Sequence, residues 1–513
     1  MQIAFDRIFM AEIFKIKIEK NEYWYAGVVS RAADMPFHAE SEFSFDLSAY
    51  NYENQVAPIL LSNQGRCVRY VPAPVRITGG EIQIEYCGTA PSLDACGTTL
   101  RDAYAFACKK YFLPDGKTPP AEFFGSPVFN DWMEIGYDQS QNRILEYADE
   151  IADSGYPCSV LMIDDKWTDY YGTFLFSKDR FSDAPQMLKK LHASGMKVML
   201  WESPFITPDS PEMRALAEKN ALVREKGGDI AVRKWWNGFS AVLDFSSPVA
   251  RDWLAEKNAH LLSMGADGFK FDGGDICSYR EDDITYGNVN AYGQCMAYSG
   301  FALQYKFNEL RASADMGGRA LVQRACDKAH GWGRGALADI VPGYIVQNLF
   351  GYWYASPDMI GGGSIGSDKV VDEELVVRYA ECAALMPVMQ FSRCPWKMLR
   401  AENNKISRSY AKLHVSFGRY IYGLAQHAAK TGEPPARPLE FDYPGQGFER
   451  EMGSFMLGDD YLVSPVTEKG MTKKEIRLPL GRWQYVDGKV YDGGRSYVFD
   501  APLNTLPYFK KLV

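Results

Sequence analysis

Short apolar runs alternate with helical segments from about residue 120 onward, and this alternation restricts the fold more than any other feature of the sequence. The runs lie at residues 127–132, 159–165, 197–202, 268–272, 320–324 and 386–391. Apolar strands separated by helices are typical of a parallel sheet that is covered on both faces. Six or more such units over roughly 300 residues favour an α/β fold with a closed (β/α)8 TIM barrel. One intervening segment, 183–194, begins with Asp-Ala-Pro, which is a helix start signal.

The segments on either side of this barrel have the pattern of antiparallel β structure. Residues 14–18 and 81–86 alternate apolar with polar side chains at period two, which favours a β-sandwich. A proline-rich junction at 433–438 precedes short predicted strands at 454–458, 461–466 and 481–486. We therefore predict an N-terminal β-sandwich domain over 1–115, a catalytic barrel over 116–431 and a small C-terminal all-β domain over 432–513.

Composition and charge exclude several classes of partner. The chain has 513 residues with 46% hydrophobic and 24% charged side chains, as expected of a soluble globular protein of several domains. The net charge of -9 argues against a nucleic-acid partner, because phosphate binding needs a basic surface. No apolar run approaches the roughly 20 residues of a membrane span. The sequence leaves open whether the chain forms a homo-oligomer.

The cysteines and the first residues favour a cytoplasmic location. The ten cysteines contain no C-x-x-C pair, so neither a zinc site nor a redox motif is indicated. The chain begins with Met-Gln-Ile-Ala-Phe-Asp, which lacks the basic start and apolar core of a signal peptide. We expect reduced thiols in a cytoplasmic protein, with no metal and no cofactor.

Residues 268–275 (GFKFDGGD) contain the first candidate for chemistry. Two phenylalanines alternate with Lys270, as in a short buried strand, and the glycine pair then ends the strand. Asp272 would lie at the C-terminal tip of this strand, where the catalytic side chains of parallel barrels collect. It is a candidate nucleophile or general base, and the alternative is an aspartate that only forms a turn.

The ends of the predicted barrel strands supply an acid-rich set of side chains. They are Asp164, Asp165, Trp201, Glu202, Asp272, Asp275, Arg324 and Asp327. Carboxylates accept hydrogen bonds from vicinal hydroxyls, and indole rings cover the apolar face of a sugar. Aromatic side chains make up 14% of the chain, which suits either large cores or such stacking platforms. Hydrolysis of a glycoside needs two carboxyl groups in unlike environments, so that one stays ionised and the other protonated.

These motifs resemble those of glycoside hydrolase family 31, in order and spacing, over most of the chain. Residues 268–275 are similar to the block on the family's fourth strand, with Asp272 in the nucleophile position. Asp327 precedes Trp332 by five residues, which is the spacing of the family's acid/base aspartate. Residues 163–167 resemble the strand-two block, whose aspartate binds the far hydroxyls of the sugar.

The resemblance also supplies candidates for substrate binding. Residues 235–245, 354–362 and 455–466 resemble the segment before strand four, the strand-seven block and the β domain that follows the barrel. The substrate-binding candidates are Asp164, Asp165, Trp201, Trp236, Lys270, Arg324, Trp332 and Asp358. For Asp165 the alternative is a helix cap, for Arg324 a scaffold ion pair, and for the tryptophans core packing.

One departure bears on the substrate. Many family members that cleave α-glucosides carry an Arg-Asn-His stretch at strand eight, whereas this chain has QFSRCPW at residues 390–396. This stretch looks more like the branch that contains the myogenesis-regulating glycosidase and bacterial α-galactosidases. The resemblance therefore implies an α-galactosidase. The alternatives are an α-glucosidase, an α-xylosidase, a lyase with the same covalent intermediate, or a catalytically silent carbohydrate-binding protein.

The mechanism that the resemblance implies is an exo-acting double displacement with retention of configuration. Asp272 would attack the anomeric carbon and form a covalent glycosyl-enzyme, while Asp327 would protonate the leaving oxygen and later activate water. Retention predicts that the two carboxyl groups lie about 5 to 6 Å apart on one cavity.

Overall fold

The computed structural model describes residues 11–366 and 370–512, and its N-terminal part contains two β-sheets. The strands are β1 Glu12–Lys17, β2 Trp24–Val28, β3 Phe43–Asp46, β4 Gln55–Ser62, β5 Arg66–Arg69, β6 Pro74–Thr78, β7 Glu81–Tyr86 and β8 Ser92–Ala95. One sheet has the order β1-β7-β6-β3, and the other joins β2, β4, β5 and β8. All of these pairs are antiparallel. Helix α1 (Leu100–Tyr111) packs against β4 and β5.

Eight parallel strands form the predicted barrel in the middle of the chain. The strands of this region are β9 Val128–Asn130, β10 Val160–Ile163, β11 Lys197–Glu202, β12 Phe205–Ile206, β13 Val232–Trp235, β14 Gly238–Val242, β15 Gly268–Phe271, β16 Phe307–Leu310, β17 Ser313–Ala314, β18 Val322–Arg324, β19 Ala355–Ser356 and β20 Gln390–Phe391. The barrel has the order β19-β18-β16-β15-β11-β10-β9-β20, and every pair in it is parallel. A bridge between Met359 and Gln390 brings its first and last strands together. The predicted fold class is thereby confirmed.

Helices cover the outside of this barrel. They are α2 Glu122–Gly125, α3 Trp132–Ile135, α4 Gln141–Ser154, α5 Ala184–Ala193, α6 Pro211–Glu218, α7 Pro248–Met264, α8 Ala291–Ala302, α9 Ile340–Leu349, α10 Glu373–Ala383, α11 Pro395–Met398 and α12 Ala401–Thr431. Short 3-10 helices lie at Val29–Asp34 in the N-terminal part and at Ile276–Ser278 and Leu337–Asp339 in loops of the barrel. Helix α5 begins as its sequence predicts, because Asp183 caps it by accepting a hydrogen bond from the Gln186 N–H at 3.0 Å. Within the two described ranges, no helix combines the length and the apolar character that crossing a membrane requires.

The C-terminal part is an all-β unit with a small core of its own. It contains the short helix α13 Leu439–Asp442 and the strands β21 Ala436–Pro438, β22 Phe455–Leu457, β23 Tyr461–Val463, β24 Lys473–Leu478, β25 Arg482–Tyr485, β26 Val490–Asp492, β27 Arg495–Asp500 and β28 Tyr508–Leu512. Six strands form a sheet of order β21-β22-β23-β28-β25-β26, and β24 pairs with β27. Trp483, Phe499 and Phe509 are buried between them. The larger core is continuous from the N-terminal sheets through the barrel, so the predicted domain boundaries remain predictions.

One barrel strand escaped the sequence analysis. Strand β16 occupies residues 307–310, where Asn308 and Glu309 are both buried inside the fold. These two polar residues interrupt the apolar run by which the neighbouring strands were found. The strand nevertheless belongs to the barrel, because it pairs with β15 on one side and β18 on the other.

Residues 51–55, at the entry to β4, attach the N-terminal sheets to the end of the barrel. The bonds run from Gln55 Nε2 to the carbonyl oxygens of Arg311 (2.5 Å) and Arg324 (2.8 Å), and from the Cys326 N–H to Asn54 Oδ1 (2.8 Å). Strand β17 adds to this contact by pairing in parallel with the start of β4. The N-terminal part therefore contacts the barrel at the loops that follow β16 and β18.

Candidate active site

A cavity of about 450 Å³ opens at the C-terminal ends of the barrel strands. Eight of the ten predicted site residues line it: Asp164, Asp165, Trp201, Trp236, Lys270, Asp272, Arg324 and Asp327. The two predicted catalytic carboxyls thus face one shared cavity. Asp358 and Trp332 do not line it. Parallel strands deliver their C-terminal residues to one end of a barrel, which explains how positions so distant in the sequence meet.

The glycine pair after β15 fixes the position of Asp272. Gly273 and Gly274 have φ values of +65° and +69°, which residues with a Cβ rarely adopt. A Cβ would also lie 2.8 Å from the Phe205 ring at the first position and 2.3 Å from the Tyr298 ring at the second. Both positions therefore require glycine. The sharp turn of the backbone there leaves the Asp272 carboxylate at the C-terminal tip of β15.

Gly274→Ala is expected to lower the free energy of unfolding by about 3 kcal/mol, since left-handed strain and a clash with Tyr298 add together. Gly228→Ala is the matched control, because Gly228 has a φ of +92° but no atom within 4 Å of the added Cβ. The control should lose only about 1 kcal/mol, from strain alone. Urea denaturation measures both values, and equal losses would show that the contact with Tyr298 has no cost.

Asp272 is oriented by hydrogen bonds to both carboxylate oxygens. Oδ1 accepts from Arg311 Nε at 2.7 Å and from the Gly273 N–H at 2.9 Å, and Oδ2 accepts from Trp201 Nε1 at 3.1 Å. The Asp272 N–H donates to the Glu202 carbonyl oxygen at 2.9 Å. These bonds favour the ionised carboxylate and hold it in one orientation.

The charges around Asp272 lower its pKa. Burial by itself raises the pKa, but the positive charges of Arg311, Arg324 and Lys270 outweigh burial and hold the pKa of Asp272 well below its usual range. The carboxyl is therefore ionised throughout the neutral range, as a nucleophile has to be.

Arg311 is a residue of the candidate site that the sequence analysis missed. It follows β16, and its guanidinium bridges two carboxylates: Nε donates to Asp272, while Nη2 donates to Asp275 Oδ2 at 2.6 Å and Nη1 to Asp275 Oδ1 at 3.1 Å. The side chain is buried. Arg311 could have been predicted only if β16 had been recognised, because Arg311 directly follows that barrel strand.

Asp327 lies in a different environment from Asp272. It comes three residues after the end of β18, and its Oδ1 accepts from Arg324 Nη1 at 2.7 Å. Its side chain is 41% exposed, compared with 13% for Asp272. One carboxyl is thus enclosed by cations and the other opens toward the solvent side of the cavity, which is the asymmetry that a nucleophile and an acid/base require.

Arg324 organises a second charge cluster beneath the cavity. Its guanidinium is buried and lies within 2.7 Å of Asp327, 2.9 Å of Asp358 and 3.3 Å of Glu309. Burial, followed by the charge of Asp327, raises the pKa of Asp358 to about 6. Asp358 is fully enclosed and accepts hydrogen bonds from the N–H groups of Lys328 (2.7 Å) and Gly363 (3.1 Å). These contacts give Asp358 a supporting position behind the cavity.

The two adjacent aspartates after β10 have separate partners. Asp164 Oδ2 accepts from Lys270 Nζ at 2.6 Å and from Asn130 Nδ2 at 2.7 Å. Asp165 Oδ2 accepts from Asn237 Nδ2 at 2.6 Å and from the Tyr171 hydroxyl at 3.0 Å. Burial raises the pKa of Asp165 to about 6. Asp164 and Lys270 form a buried ion pair that contributes one polar wall of the cavity.

Aromatic side chains form another part of the wall. Trp236 is 51% exposed at the mouth, and Trp235 stacks on Phe205 with ring centroids 4.3 Å apart. Trp201 is buried and points its Nε1 at Asp272. Trp332 instead donates to Asp372 Oδ2 at 3.0 Å, outside the cavity lining. Trp235, Phe205 and Trp132 line the cavity without having been predicted.

Within residues 11–366 and 370–512, no three His, Cys, Asp or Glu side chains are grouped in a way that could hold a metal ion. The expected absence of a cofactor remains a prediction.

A parallel (β/α)8 barrel that places two carboxyl groups in unlike environments on one aromatic-lined cavity has the arrangement that glycoside hydrolysis requires. The family model described as the glycosyl hydrolases family 31 TIM-barrel domain matches residues 119–424, and that of the family 31 C-terminal domain matches residues 432–512. The chain belongs to glycosyl hydrolase family 31.

Curated relatives are longer than this chain. The mouse (Mus musculus) myogenesis-regulating glycosidase is 31% identical over 461 residues, covering 86% of this chain and 62% of the relative. The alpha-xylosidase XylQ of Lactiplantibacillus pentosus is 28% identical, covering 74% of this chain and 51% of the relative. Among solved structures, the cycloalternan-degrading enzyme from Trueperella pyogenes, in complex with a covalent intermediate, has a TM-score of 0.85 at 20% identity, covering 98% of this chain and 78% of that one. This last likeness concerns the fold.

Proposed function

We propose that this protein is a retaining, exo-acting α-glycosidase. The observation that carries the proposal is the position of Asp272 and Asp327 on one cavity in unlike surroundings, with side chains that are 13% and 41% exposed. Three cations lower the pKa of Asp272, while Asp327 is half open and contacts a single guanidinium. Asp164 and Lys270 form one polar wall of the same pocket. A pocket with this wall and this pair of carboxyl groups suits removal of a terminal sugar from a small oligosaccharide or α-glycoside.

In the first step Asp272 attacks the anomeric carbon, and the bond from that carbon to the leaving oxygen breaks. Asp327 transfers its proton to the leaving oxygen, so that a neutral alcohol departs and a glycosyl ester remains on Asp272. In the second step Asp327 takes a proton from water, whose oxygen attacks the same carbon and releases Asp272. Two inversions restore the original configuration.

The hydrogen bonds around Asp272 would change during this cycle. When Asp272 becomes an ester it loses its charge, and Asp275 is then the carboxylate among the described residues that still pairs with Arg311. The guanidinium is positioned to stabilise the carboxylate again when it leaves in the second step. Arg311 therefore stabilises the ionised Asp272 both in the resting enzyme and as the leaving carboxylate when the sugar is released.

We propose α-galactosides as the substrate class. The support is the sequence at residues 390–396, which has no histidine in the place where many α-glucosidases of the family carry one. Gln390 is buried and donates to Glu309 Oε2 at 3.0 Å, so its amide group is engaged inside the barrel. The second candidate is an α-xyloside, favoured by the name of the alpha-xylosidase XylQ relative. An α-glucoside is the further alternative.

A panel of 4-nitrophenyl α-glycosides tests the substrate class. We expect kcat/KM to be highest for the α-galactoside, by about tenfold or more over the α-glucoside and α-xyloside. Proton NMR of the first product should give the α-anomer. An inert α-galactoside beside a hydrolysed α-xyloside would contradict the proposed sugar but keep the mechanism, whereas a β-anomer as the first product would contradict the mechanism.

We also propose a cytoplasmic location for the protein. The support is that its ten cysteines are all unpaired in the described residues.

A further inference from the structure

A β-hairpin places its turn at the mouth of the active-site cavity. Strands β13 and β14 pair as far as Trp235 and Gly238, so Trp236 and Asn237 are the two residues of the turn. Gly238 has a φ of +107°, a left-handed value that suits glycine at the end of a hairpin turn. Trp236 lines the cavity, whereas Asn237 does not belong to its lining. Asn237 therefore acts on a bound substrate only through its neighbours.

The side-chain amide of Asn237 ties the turn to two other segments. Its Nδ2 donates to Asp165 Oδ2 at 2.6 Å and to the Tyr171 hydroxyl at 2.7 Å, while its Oδ1 accepts from the Tyr137 hydroxyl at 2.8 Å. Both N–H groups and the oxygen are thus engaged, which fixes the orientation of the amide. Asp165 follows β10 and Tyr137 follows α3, so the turn is held at two separate points of the barrel end.

Asp165 uses much of its acceptor capacity on protein groups. Its Oδ1 accepts from the Lys166 N–H at 2.6 Å, and its Oδ2 accepts from Asn237 and from the Tyr171 hydroxyl. An ionised carboxylate offers about four acceptor positions. Because three protein donors already occupy this carboxylate, its hydrogen bonds favour a role as the anchor of the turn.

The other residue of the turn lies on the nucleophile side of the cavity. The guanidinium carbon of Arg311 is 5.8 Å from the ring centroid of Trp236, and Arg311 pairs with Asp272. The turn thus reaches from Asp165 after β10 to Arg311 after β16, two strands that β11 and β15 separate in the barrel order.

We propose that Asn237 is a positioning residue for substrate binding, an inference that rests on the proposed function. Its hydrogen bonds to Asp165 and Tyr137 hold the turn in place, and the turn in turn holds the ring of Trp236 at the mouth of the cavity. An indole ring fixed there covers the apolar face of a sugar. The loss of Asn237 should therefore weaken sugar binding rather than the chemical step.

Asn237→Ala is expected to raise KM about tenfold and to change kcat by less than about threefold, because the interaction serves the bound sugar before and during the reaction alike. The substrate is the 4-nitrophenyl α-glycoside that the wild type hydrolyses fastest. Asn504→Ala, at an exposed asparagine of the C-terminal part, is the control and should change neither constant. An unchanged KM, or a fall confined to kcat, would overturn the inference.

Tyr137→Phe removes the second half of the contact and replaces Asn237→Ala if that variant fails to fold, since Tyr137 is half exposed. We expect KM to rise about threefold, because one hydrogen bond is lost. In the double variant with Asn237→Ala, the rise in KM should be smaller than the product of the two single rises, because both substitutions remove the same bond. Rises that multiply would show that the two residues act independently and would overturn the inference.

Asn237→Asp separates positioning by Asp165 from a general effect on the hairpin. Ionisable groups that face Asp165 include Asp164, Lys166, Tyr137 and Tyr171. At neutral pH a second carboxylate would repel the ionised Asp165, whereas in acid the two carboxyls share a proton and bond again. The ratio of the variant's KM to that of the wild type should therefore fall about threefold or more between about pH 8 and about pH 5.

This fall should exceed the change in the same ratio for Asn237→Ala, which has no carboxyl group at the position. Equal pH dependence of the two ratios would overturn the inference. A wild-type protein that hydrolyses no α-glycoside would instead contradict the proposed function.

Discussion

Asp272→Ala is expected to abolish turnover, with kcat/KM for an activated aryl α-glycoside falling about 10⁴-fold or more. The substitution removes the atom that would form the glycosyl ester, and the other two carboxylates are already paired, Asp275 with Arg311 and Asp327 with Arg324. Steady-state kinetics measure the loss. A 2-fluoroglycosyl fluoride should add one sugar mass to residue 272 of the wild-type protein and none to the variant.

The control for Asp272→Ala is an aspartate of the C-terminal sheet region. Asp487 is partly exposed and pairs with Lys489 at 3.0 Å, far along the chain from the barrel, so Asp487→Ala should leave kcat/KM within about twofold of the wild type. Residual activity of the Asp272 variant above about one hundredth would exclude Asp272 as nucleophile. A carbohydrate-binding protein without catalysis would show no wild-type turnover and would lose only affinity in the variant.

Arg311→Ala is expected to combine a large loss of stability with a shift of the pH profile. The guanidinium is the shared partner of two buried carboxylates, Asp272 and Asp275, which would both be left without it. Removing one member of a buried charge cluster costs about 3–5 kcal/mol, and the loosened nucleophile should lower kcat/KM by about 10²-fold. Urea denaturation and steady-state kinetics measure the two effects.

The direction of the pH shift follows from the pKa of Asp272. Arg311 helps to hold that pKa below its unfolded value, and the ionised carboxylate is the reactive form. Without Arg311 the pKa rises, so the acid limb of kcat/KM moves to higher pH. In the wild type, the stability that Asp272 gains from its cations is present above the unfolded pKa of about 3.9 and is lost as pH falls through the folded pKa. The stability difference between wild type and variant should therefore shrink in acid.

Arg280→Ala is the matched control for this prediction. Arg280 is 61% exposed and lies 3.5 Å from Glu225, so its removal should cost less than about 1 kcal/mol and leave the pH profile unchanged. If the acid limb of kcat/KM for Arg311→Ala stayed at the pH of the wild type, the claim that Arg311 lowers the pKa of Asp272 would be wrong, whatever the change in stability.

Most of the barrel could be predicted because a parallel strand covered on both faces is a continuous apolar run. Residues 160–163 and 197–202 have this pattern, and both are strands. Strand β16 could not be found in this way, because Glu309 lies inside the barrel near Arg324 and accepts a hydrogen bond from Gln390. The partners of Glu309 belong to other strands, which a local pattern does not contain.

The site divides along the same line. Asp164 and Asp272 directly follow apolar strands, so their place at the cavity could be inferred from position alone. Arg311 follows the strand that the pattern hides. Glu53 enters the cavity from the N-terminal part, and a contact between parts of the chain more than 200 residues apart leaves no trace in local sequence. What could not be predicted is therefore the set of partners that come from elsewhere in the fold.

The hydrogen bonds of residues 51–55 have a consequence for how this architecture can be rearranged. Gln55 donates to the main-chain carbonyls of Arg311 and Arg324, the two arginines that pair with Asp272 and Asp327. A barrel without its N-terminal sheets would keep both arginines but lose the hydrogen bonds that fix their main chain. The sheets and the barrel are thus not interchangeable modules. A chimera that joins parts of two homologues has to take residues 51–55 and the loops after β16 and β18, to which they are hydrogen-bonded, from the same parent.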